Sequence, residues 1–301
     1  MQILAQHVAN MPATTVIRPA RASDGEAIAS FTQYTFAWGD YIADSFDTWL
    51  NEPGARMVVA VDDQDTAIAM SRARIVSPTE AWFHAARVHP EWRGRGIAGN
   101  MAAELHVWAG EEGAVVGRLL IEDWNEASVR HVEKIGFRRV VDVVRCVKPI
   151  GDASPSPDGN GGRRVPSRLR ARPAHAADAT PAYTSWSVGE LGRAMRGLTG
   201  SRWTYSRLTI DHLIAAARSD SFWEIGSGWA VIDTEGDAVE VGWLETRSED
   251  APDLLRAAID LAVGRGAESI SLWLPAVEWI VKAAKRLGFN AEPMGVYAVE
   301  L

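Results

Sequence analysis

The segment Val88-His89-Pro90-Glu91-Trp92-Arg93-Gly94-Arg95-Gly96-Ile97-Ala98 brings together two glycines, two arginines and the start of a helical apolar pattern. Glycines allow positive φ and let a backbone approach a ligand closely. A helix beginning directly after them points unpaired N–H groups and about half a positive charge at the same spot. An anion, and a pyrophosphate in particular, suits such a place, with Arg93 and Arg95 adding charge at the rim. A plain strand–loop–helix turn with solvated arginines is the alternative that the segment alone leaves open.

Positioning that loop takes a strand before it and a helix after it. Glu80 to Val88 alternates as a strand and Ile97 to Glu112 has helical spacing. Upstream, Thr15 to Arg18, Arg56 to Asp62 and Ala67 to Val76 read as strands. Ser23-Asp-Gly-Glu26 reads as a capping box opening a helix, and a second helical stretch runs from Asp40 to Leu50. Downstream come a buried-type strand at Val115–Ile121, a helix at Glu126–Ile135 stopped by Gly136, and a strand at Phe137–Val147. A meander followed by helix crossovers is a mixed α/β domain.

The pattern then repeats. Arg18-Pro-Ala-Arg-Ala-Ser-Asp24 resembles Arg172-Pro-Ala-His-Ala-Ala-Asp178 at an offset of 154. Gly113-Ala114 and Gly136-Phe137 return as Gly266-Ala267 and Gly288-Phe289, at offsets of 153 and 152. Three landmarks holding nearly one offset imply two copies of one domain. The first spans 1–150 and the second 166–301, joined by a Gly-, Ser- and Pro-rich linker at 151–165.

The first copy resembles the GNAT superfamily of acyl-CoA N-acyltransferases. Arg93-Gly-Arg-Gly96-Ile-Ala98 fits that family's Arg/Gln-x-x-Gly-x-Gly/Ala phosphate motif. Val88-His89-Pro90 matches the Val-x-Pro before it, and Asn125 and Glu133-Lys134-Ile135-Gly136-Phe137 match the helix beyond it. The resemblance implies two tandem domains, each a central mixed β-sheet flanked by helices, and acetyl-CoA as acyl donor with no metal. It implies that the backbone of Arg93, Gly94, Arg95, Gly96, Ile97 and Ala98 holds the pyrophosphate. It implies that Val88, on a strand splaying from its neighbour, receives the pantetheine arm. Asn125 is expected to touch the pantetheine or position its helix, a simple N-cap being the alternative. The implied activity is transfer of acetyl to a primary amine of a small molecule or amino acid. The alternatives are acetylation of a protein or peptide, and an acyl-CoA-binding module without catalysis.

Acyl transfer needs a neutral amine. A lysine-like amine of pKa about 10.4 costs roughly 4–5 kcal/mol to deprotonate at pH 7, an α-amine near pKa 8 only about 1 kcal/mol. A two-residue period puts residues 80, 82, 84, 86 and 88 on one face, so Glu80 and His84 are expected to face the cofactor's cleft beside Val88. Family members that carry a base histidine four residues before the Val88 position place it where His84 stands. Glu80 is the second candidate base. Many members also carry a Tyr just before Glu-Lys-x-Gly-Phe as thiolate acid; here that residue is Val132, with His131 beside it but about 100° round the helix. Cys146 has no evident base nearby and is assigned to core packing.

The second copy departs from the phosphate motif. Without gaps, Thr246-Arg-Ser-Glu-Asp-Ala251 falls over Arg93 to Ala98, so both glycines are lost and Glu249-Asp250 would repel a pyrophosphate. One donor site per chain is the consequence. Trp38 and Tyr41 lie where the resemblance places the acceptor, although ordinary aromatic packing also accounts for them. A net charge of −8 over 301 residues excludes wholesale nucleic-acid binding, and a single cysteine excludes an internal disulfide framework. No apolar run reaches membrane-spanning length, and the N-terminus lacks signal-peptide features, so a cytoplasmic monomer with its domains as a pseudo-dimer, or a homodimer, is expected.

Overall fold

The computed structural model of the protein describes residues 15–33, 35, 39–151 and 167–301. The expected linker therefore lies almost wholly outside the described residues. The chain packs as two compact units. One takes the chain up to Leu119 together with Asn125–Arg138 and Tyr297–Leu301; the other takes Leu120–Trp124 and Arg139–Val296.

In the first unit, strand β1 (Val16–Pro19) is followed by helices α1 (Gly25–Thr32) and α2 (Ile42–Leu50) and by strands β2 (Ala55–Val61), β3 (Ala67–Ser77) and β4 (Glu80–Val88). Helix α3 (Ile97–Glu111), strand β5 (Val116–Glu122) and helix α4 (Glu126–Lys134) come next. Strands β1 to β4 form an antiparallel meander, and β4 pairs in parallel with β5. Apolar residues of α1 and α2 close one face of that sheet: Ile28, Phe31, Ile42 and Phe46 pack with Met57, Val59, Val61, Met70 and Ala85. Helix α3 buries Ile97, Met101, Leu105 and Trp108, a spacing that keeps one stripe inward. The entry to α1 differs from the capping box read at Ser23. A short 3₁₀ turn at Ala22–Asp24 precedes the helix, and the buried Asp24 carboxylate accepts from the Arg21 amide at 2.7 Å and from two nitrogens of Arg18 at 2.8 Å.

The chain continues with strands β6 (Arg138–Pro149) and β7 (Ala171–Pro173), helices α5 (Ala179–Val188) and α6 (Glu190–Ala194), and the hairpin β8 (Leu198–Ser201) and β9 (Thr204–Arg207). Then come α7 (Ile210–Arg218), β10 (Phe222–Ile225), β11 (Gly228–Glu235), β12 (Ala238–Glu245), α8 (Ala251–Gly264), β13 (Ser269–Pro275), α9 (Glu278–Arg286) and β14 (Asn290–Glu300). The second unit repeats the first: β7, β10, β11 and β12 are antiparallel, and β12 pairs in parallel with β13. The repeated sequence landmarks are repeated structures. Asp178 accepts from the His175 amide at 2.8 Å, as Asp24 does from Arg21. Gly136 and Gly288 come just after α4 and α9, with φ of 104° and 84°.

The last strands change units. β6, which comes after α4 of the first copy, pairs antiparallel with β13 of the second, from Pro149↔Ser269 to Val143↔Pro275. In return, Tyr297–Leu301 belongs to the first unit, where the Leu301 amide donates to the Val115 carbonyl at 3.1 Å. Cys146 sits on β6, wholly buried, and burial pushes its thiol up to about 12, in keeping with a packing role.

Candidate active site

The glycine loop is built as its composition requires. β4 ends at Val88, Pro90–Trp92 makes one 3₁₀ turn, and α3 starts at Ile97 with Gly96 as N-cap. Gly94 and Gly96 have φ of 77° and 79°, a region that costs any other L-residue about 1–2 kcal/mol. A Cβ at either would meet nothing within 4 Å, so backbone conformation, not crowding, demands glycine, and the space over the loop is open. The first helix bond runs from the Asn100 amide to the Gly96 carbonyl at 3.1 Å. The amides of Ile97, Ala98 and Gly99 thus lie in the first turn, where no intrahelical acceptor exists. Buried Ile97 anchors the helix start, while Arg93, Gly94, Arg95 and Gly96 are exposed. Arg93 Nε donates to the Val88 carbonyl at 3.2 Å, and Arg95 donates to the Glu91 carbonyl at 3.1 Å while stacking over Trp92 at 4.6 Å. Both arginines are held at the rim.

Beside the loop the sheet opens. The β4–β5 ladder runs only from Glu80↔Val116 to Trp82↔Arg118, although β4 continues to Val88 and β5 to Glu122. On its other side β4 carries a bulge. Arg72 faces His84 and Met70 faces Arg87, so Ser71 alone stands opposite Ala85 and Ala86, and Ala85 takes φ of 60°. An extra residue bends a strand and re-aims the side chains beyond it. The strict alternation read from sequence is therefore corrected. Glu80 and His84 share a face, but beyond the bulge Arg87 joins them, and Val88, paired with Ala69, lies on the opposite one.

The face of His84 is covered by α2. Its ring meets Trp49 edge-on at 5.0 Å, and Arg72 stacks over the same indole at 5.0 Å. Arg72, fully buried, donates through Nη1 to His84 Nε2 at 2.8 Å and through Nη2 to Glu52 Oε2. A guanidinium cannot accept, so Nε2 is the acceptor and the neutral ring carries its proton on Nδ1. Burial, followed by the charges of Arg72, Arg74 and Arg87, pushes the imidazole down to about 3. Glu80 is likewise engaged: Oε1 accepts from Arg118 and Oε2 from Ser77 Oγ at 3.0 Å. The one acceptor lone pair of the His84 ring is thus occupied, and each carboxylate oxygen of Glu80 already accepts a bond. Arg72, Glu52, Trp49 and Arg118 were not singled out from sequence, because nothing marks a strand arginine as the partner of a particular histidine.

Tyr41, just before α2, is exposed, 5.7 Å from the Trp49 ring, with Arg87 over its face at 5.7 Å. Arg87 Nε also donates to Asp40 Oδ2 at 2.7 Å. Trp38 lies outside the described residues. Asn125 caps α4, its Oδ1 accepting from the Ser128 amide at 3.2 Å. Val132 is buried and contributes only packing. Among the described residues, no group of three or more His, Cys, Asp or Glu side chains could hold a metal, and no helix is long and apolar enough to cross a membrane.

The second copy keeps the strand, the turn and the helix but not the loop. Between β12 and α8 run five residues, against eight between β4 and α3. Asp250 precedes the helix and accepts from Ser227 Oγ at 2.6 Å.

Residues 27–137 match the family model described as "Acetyltransferase (GNAT) family". No curated protein matches the chain in sequence. Among solved structures, a GCN5-related N-acetyltransferase from Sphaerobacter thermophilus is similar, with TM-score 0.67 and 16% identity over 96% of each chain. A protein from Thermoplasma acidophilum aligns with TM-score 0.60 and 16% identity over 95% of this chain and 100% of the other. A tandem GNAT protein of the clavulanic acid biosynthesis pathway aligns with TM-score 0.55 and 12% identity over 95% and 98%. Residues 27–137 thus match the GNAT acetyltransferase family, and the fold over about 95% of the chain is shared with a solved tandem GNAT structure.

Proposed function

We propose that this protein is an acetyl-CoA-dependent N-acetyltransferase with one active site per chain, in the first of two sequence copies (1–150 and 166–301), acting on the primary amine of a small molecule or amino acid. The observation that carries this reading is the open Gly94–Gly96 turn at the N-terminus of α3, next to the splay between β4 and β5, present in the first copy alone. The amides of Gly94 to Ala98 would hold the pyrophosphate, the Arg93 amide, expected there from sequence, being already bonded to the Pro90 carbonyl at 3.3 Å. The backbone of Val88 would take the pantetheine arm, and Asn125 would hold the start of the helix alongside. The bound donor supplies an acetyl thioester. The face of β4 opposite Val88, under α2, is then the acceptor side, with Tyr41 at its edge and Trp38 proposed there from sequence alone.

Calorimetric titration with acetyl-CoA, then an assay of thiol release with amine acceptors, tests this reading. One site per chain and saturable turnover support it; no binding at millimolar ligand removes it. Two catalytic roles are open to His84. As a base it must be released by Arg72, and His84→Ala would then lower turnover by about 10²–10⁴ and remove the acid limb of the pH–rate profile. As the neutral tautomer it offers Nδ1–H to a ligand and positions the acceptor; the loss is then smaller and the acid limb stays. Glu80, tied to Arg118, fixes the two strands where the splay begins. Val132 in place of a tyrosine favours one other reading, an acyl-CoA-binding module without catalysis. Tight acetyl-CoA binding with no acetylation across small amines and peptides would establish it.

A further inference from the structure

The second unit holds a cation with no counter-ion. Arg145 of β6 is half-buried, and among the described residues its side chain has no ion pair and no hydrogen bond. Its Nε is buried without a partner. Two indoles bracket the guanidinium instead. The ring centre of Trp203 lies 4.8 Å from Cζ, and that of Trp273, the register partner of Arg145 on β13, lies at 5.7 Å. Stacking on indoles stabilises a guanidinium without using its N–H groups, so the fork stays available. Trp273 is buried, and its own Nε1–H also lacks an acceptor. Two facing side chains thus bring donors and a full positive charge to one place, and no acceptor. Buried donors are ordinarily paired, so this pair calls for an acceptor from outside.

The hairpin β8–β9 holds that arrangement. Arg202 and Trp203 form its two-residue turn, with φ of 46° and 64°, a conformation that ordinarily selects asparagine or glycine. A tryptophan is a strained choice there, and it keeps 43% of its surface exposed. Glu240 of β12 is engaged by the turn: its Oε1 accepts from the Arg202 amide at 2.7 Å and from Ser201 Oγ at 3.5 Å. Trp203 and Tyr205 both meet the Trp273 ring edge-on, at 5.0 and 6.2 Å. The Trp203 ring is therefore set over Arg145 with its outer part in water.

We propose that Arg145, Trp203 and Trp273 form a binding site for a small aromatic carboxylate. The guanidinium fork takes the carboxylate through parallel N–H···O bonds, and the aromatic body lies against the exposed part of Trp203. The fork alone would accept any oxyanion; the indole beside it selects one with a planar apolar body. The site lies in the second unit and does not depend on the acetyltransferase reading.

The test titrates the full chain with benzoate and 2-naphthoate, their carboxamides, acetate and inorganic phosphate, by calorimetry and ligand-observed NMR. At least one aromatic carboxylate should bind about tenfold or more tighter than its carboxamide, acetate and phosphate. Arg145→Gln should weaken that binding about tenfold or more, and Arg145→Lys should fall between, since it keeps the charge without the fork. Trp203→Gly suits the left-handed turn, so thermal unfolding should hold or move up while the carboxylate still binds more weakly. Should Arg145→Gln fail to fold, Trp203→Gly decides alone. Equal binding of the carboxamide removes the anion from the recognition, and equal binding of acetate or phosphate removes the aromatic body; either overturns the proposal. So does undiminished binding in the folded variants, or no binding of either aromatic carboxylate at about 10 mM.

Discussion

Two strand–loop–helix corners of this chain started from the same plan and now differ in one respect. In both, a strand leads into a loop and a helix while its parallel partner drifts away: pairing stops at Trp82↔Arg118 in the first and at Val241↔Leu272 in the second. The splay therefore belongs to the fold and does not by itself make a cofactor site. The difference lies in what fills it. The first corner has eight loop residues, two left-handed glycines and open space. The second has five, ending in Glu249 and Asp250. Its cleft is packed as well. Gly242 of β12 lies so close to the hairpin β8–β9 that a Cβ would come 2.6 Å from the Gly200 carbonyl, and Trp186, Trp243 and Trp273 leave a cavity of only about 10 Å³. One copy keeps an open glycine loop beside the splay, and the other turns the same opening into core.

The sharpest way to break that comparison is Gly96→Glu. It places an L-residue at φ 79° and a carboxylate at the N-terminus of α3, where it would compete with an incoming pyrophosphate for the same amides and repel it. Acetyl-CoA binding should weaken about a hundredfold or more, read by calorimetry. If binding persists unchanged, the first corner is not the donor site.

That loop was legible in the sequence because its chemistry dictates its residues: only glycine takes those φ values cheaply, and they fall just ahead of a helical pattern. The glycines after α4 and α9 were legible for the same reason, whereas the turns at Asp24 and Asp178 showed only as a repeated motif, the cap itself being read at Ser23 and Glu26. The face of Val88 was not. A bulge at Ala85 carries no sequence mark when an alanine adopts positive φ, and one extra residue moves every later side chain to the other face. Nor was the exchange of last strands legible. The period of a repeat says which strands are equivalent, and β6 could equally have stayed beside its own copy; its pairing with β13 is a non-local choice.

Next in size is Arg72→Met. It leaves Glu52 and His84 without their shared donor, and because Glu52 is a third exposed the cost should fall below the roughly 3 kcal/mol of a wholly buried pair. Thermal unfolding should move down, and the His84 ring, tracked by NMR, should titrate above about 3 while burial, the larger cause, still holds it below 6.5. A ring that keeps its low value would mean that burial alone sets it. In the other corner, Gly242→Val should cost about 1–3 kcal/mol by pushing the hairpin off β12. Acetyl-CoA affinity should stay as it was; a loss there would mean that the packed corner supports the open one.

Acid should separate the two units by sign. His84 and His106 in the first are pushed down by burial to about 3 and about 4, so below 6.5 the unfolded chain takes up protons that the folded unit refuses. Each ring then subtracts on the order of 1 kcal/mol per pH unit until its folded value is reached. Glu245 in the second unit is pushed up by burial, so there the folded state holds the proton more tightly. Its contribution is present below the ordinary carboxylate value and is lost as pH rises through the raised one. Hydrogen exchange, corrected for its intrinsic pH dependence, should show protection falling between pH 7 and 5 in the first unit with no matching change in the second. An equal fall in both would show that the buried rings do not set the acid response.

The smallest expected effect is the double change Glu249→Gln with Asp250→Asn. If charge alone silenced the second corner, removing it would begin to restore a second donor site, and calorimetric stoichiometry would rise above one per chain. The structure argues otherwise. With five residues instead of eight, the loop has no room for the two left-handed turns that expose successive amides. Asp250 is also tied by Ser227 at 2.6 Å, a bond that contributes about 1 kcal/mol and that the amide only partly replaces. The double variant should therefore lose at most about 1 kcal/mol and still bind one acetyl-CoA. A second site appearing at this point would place the difference between the copies in their charge, and the shorter loop would count for little.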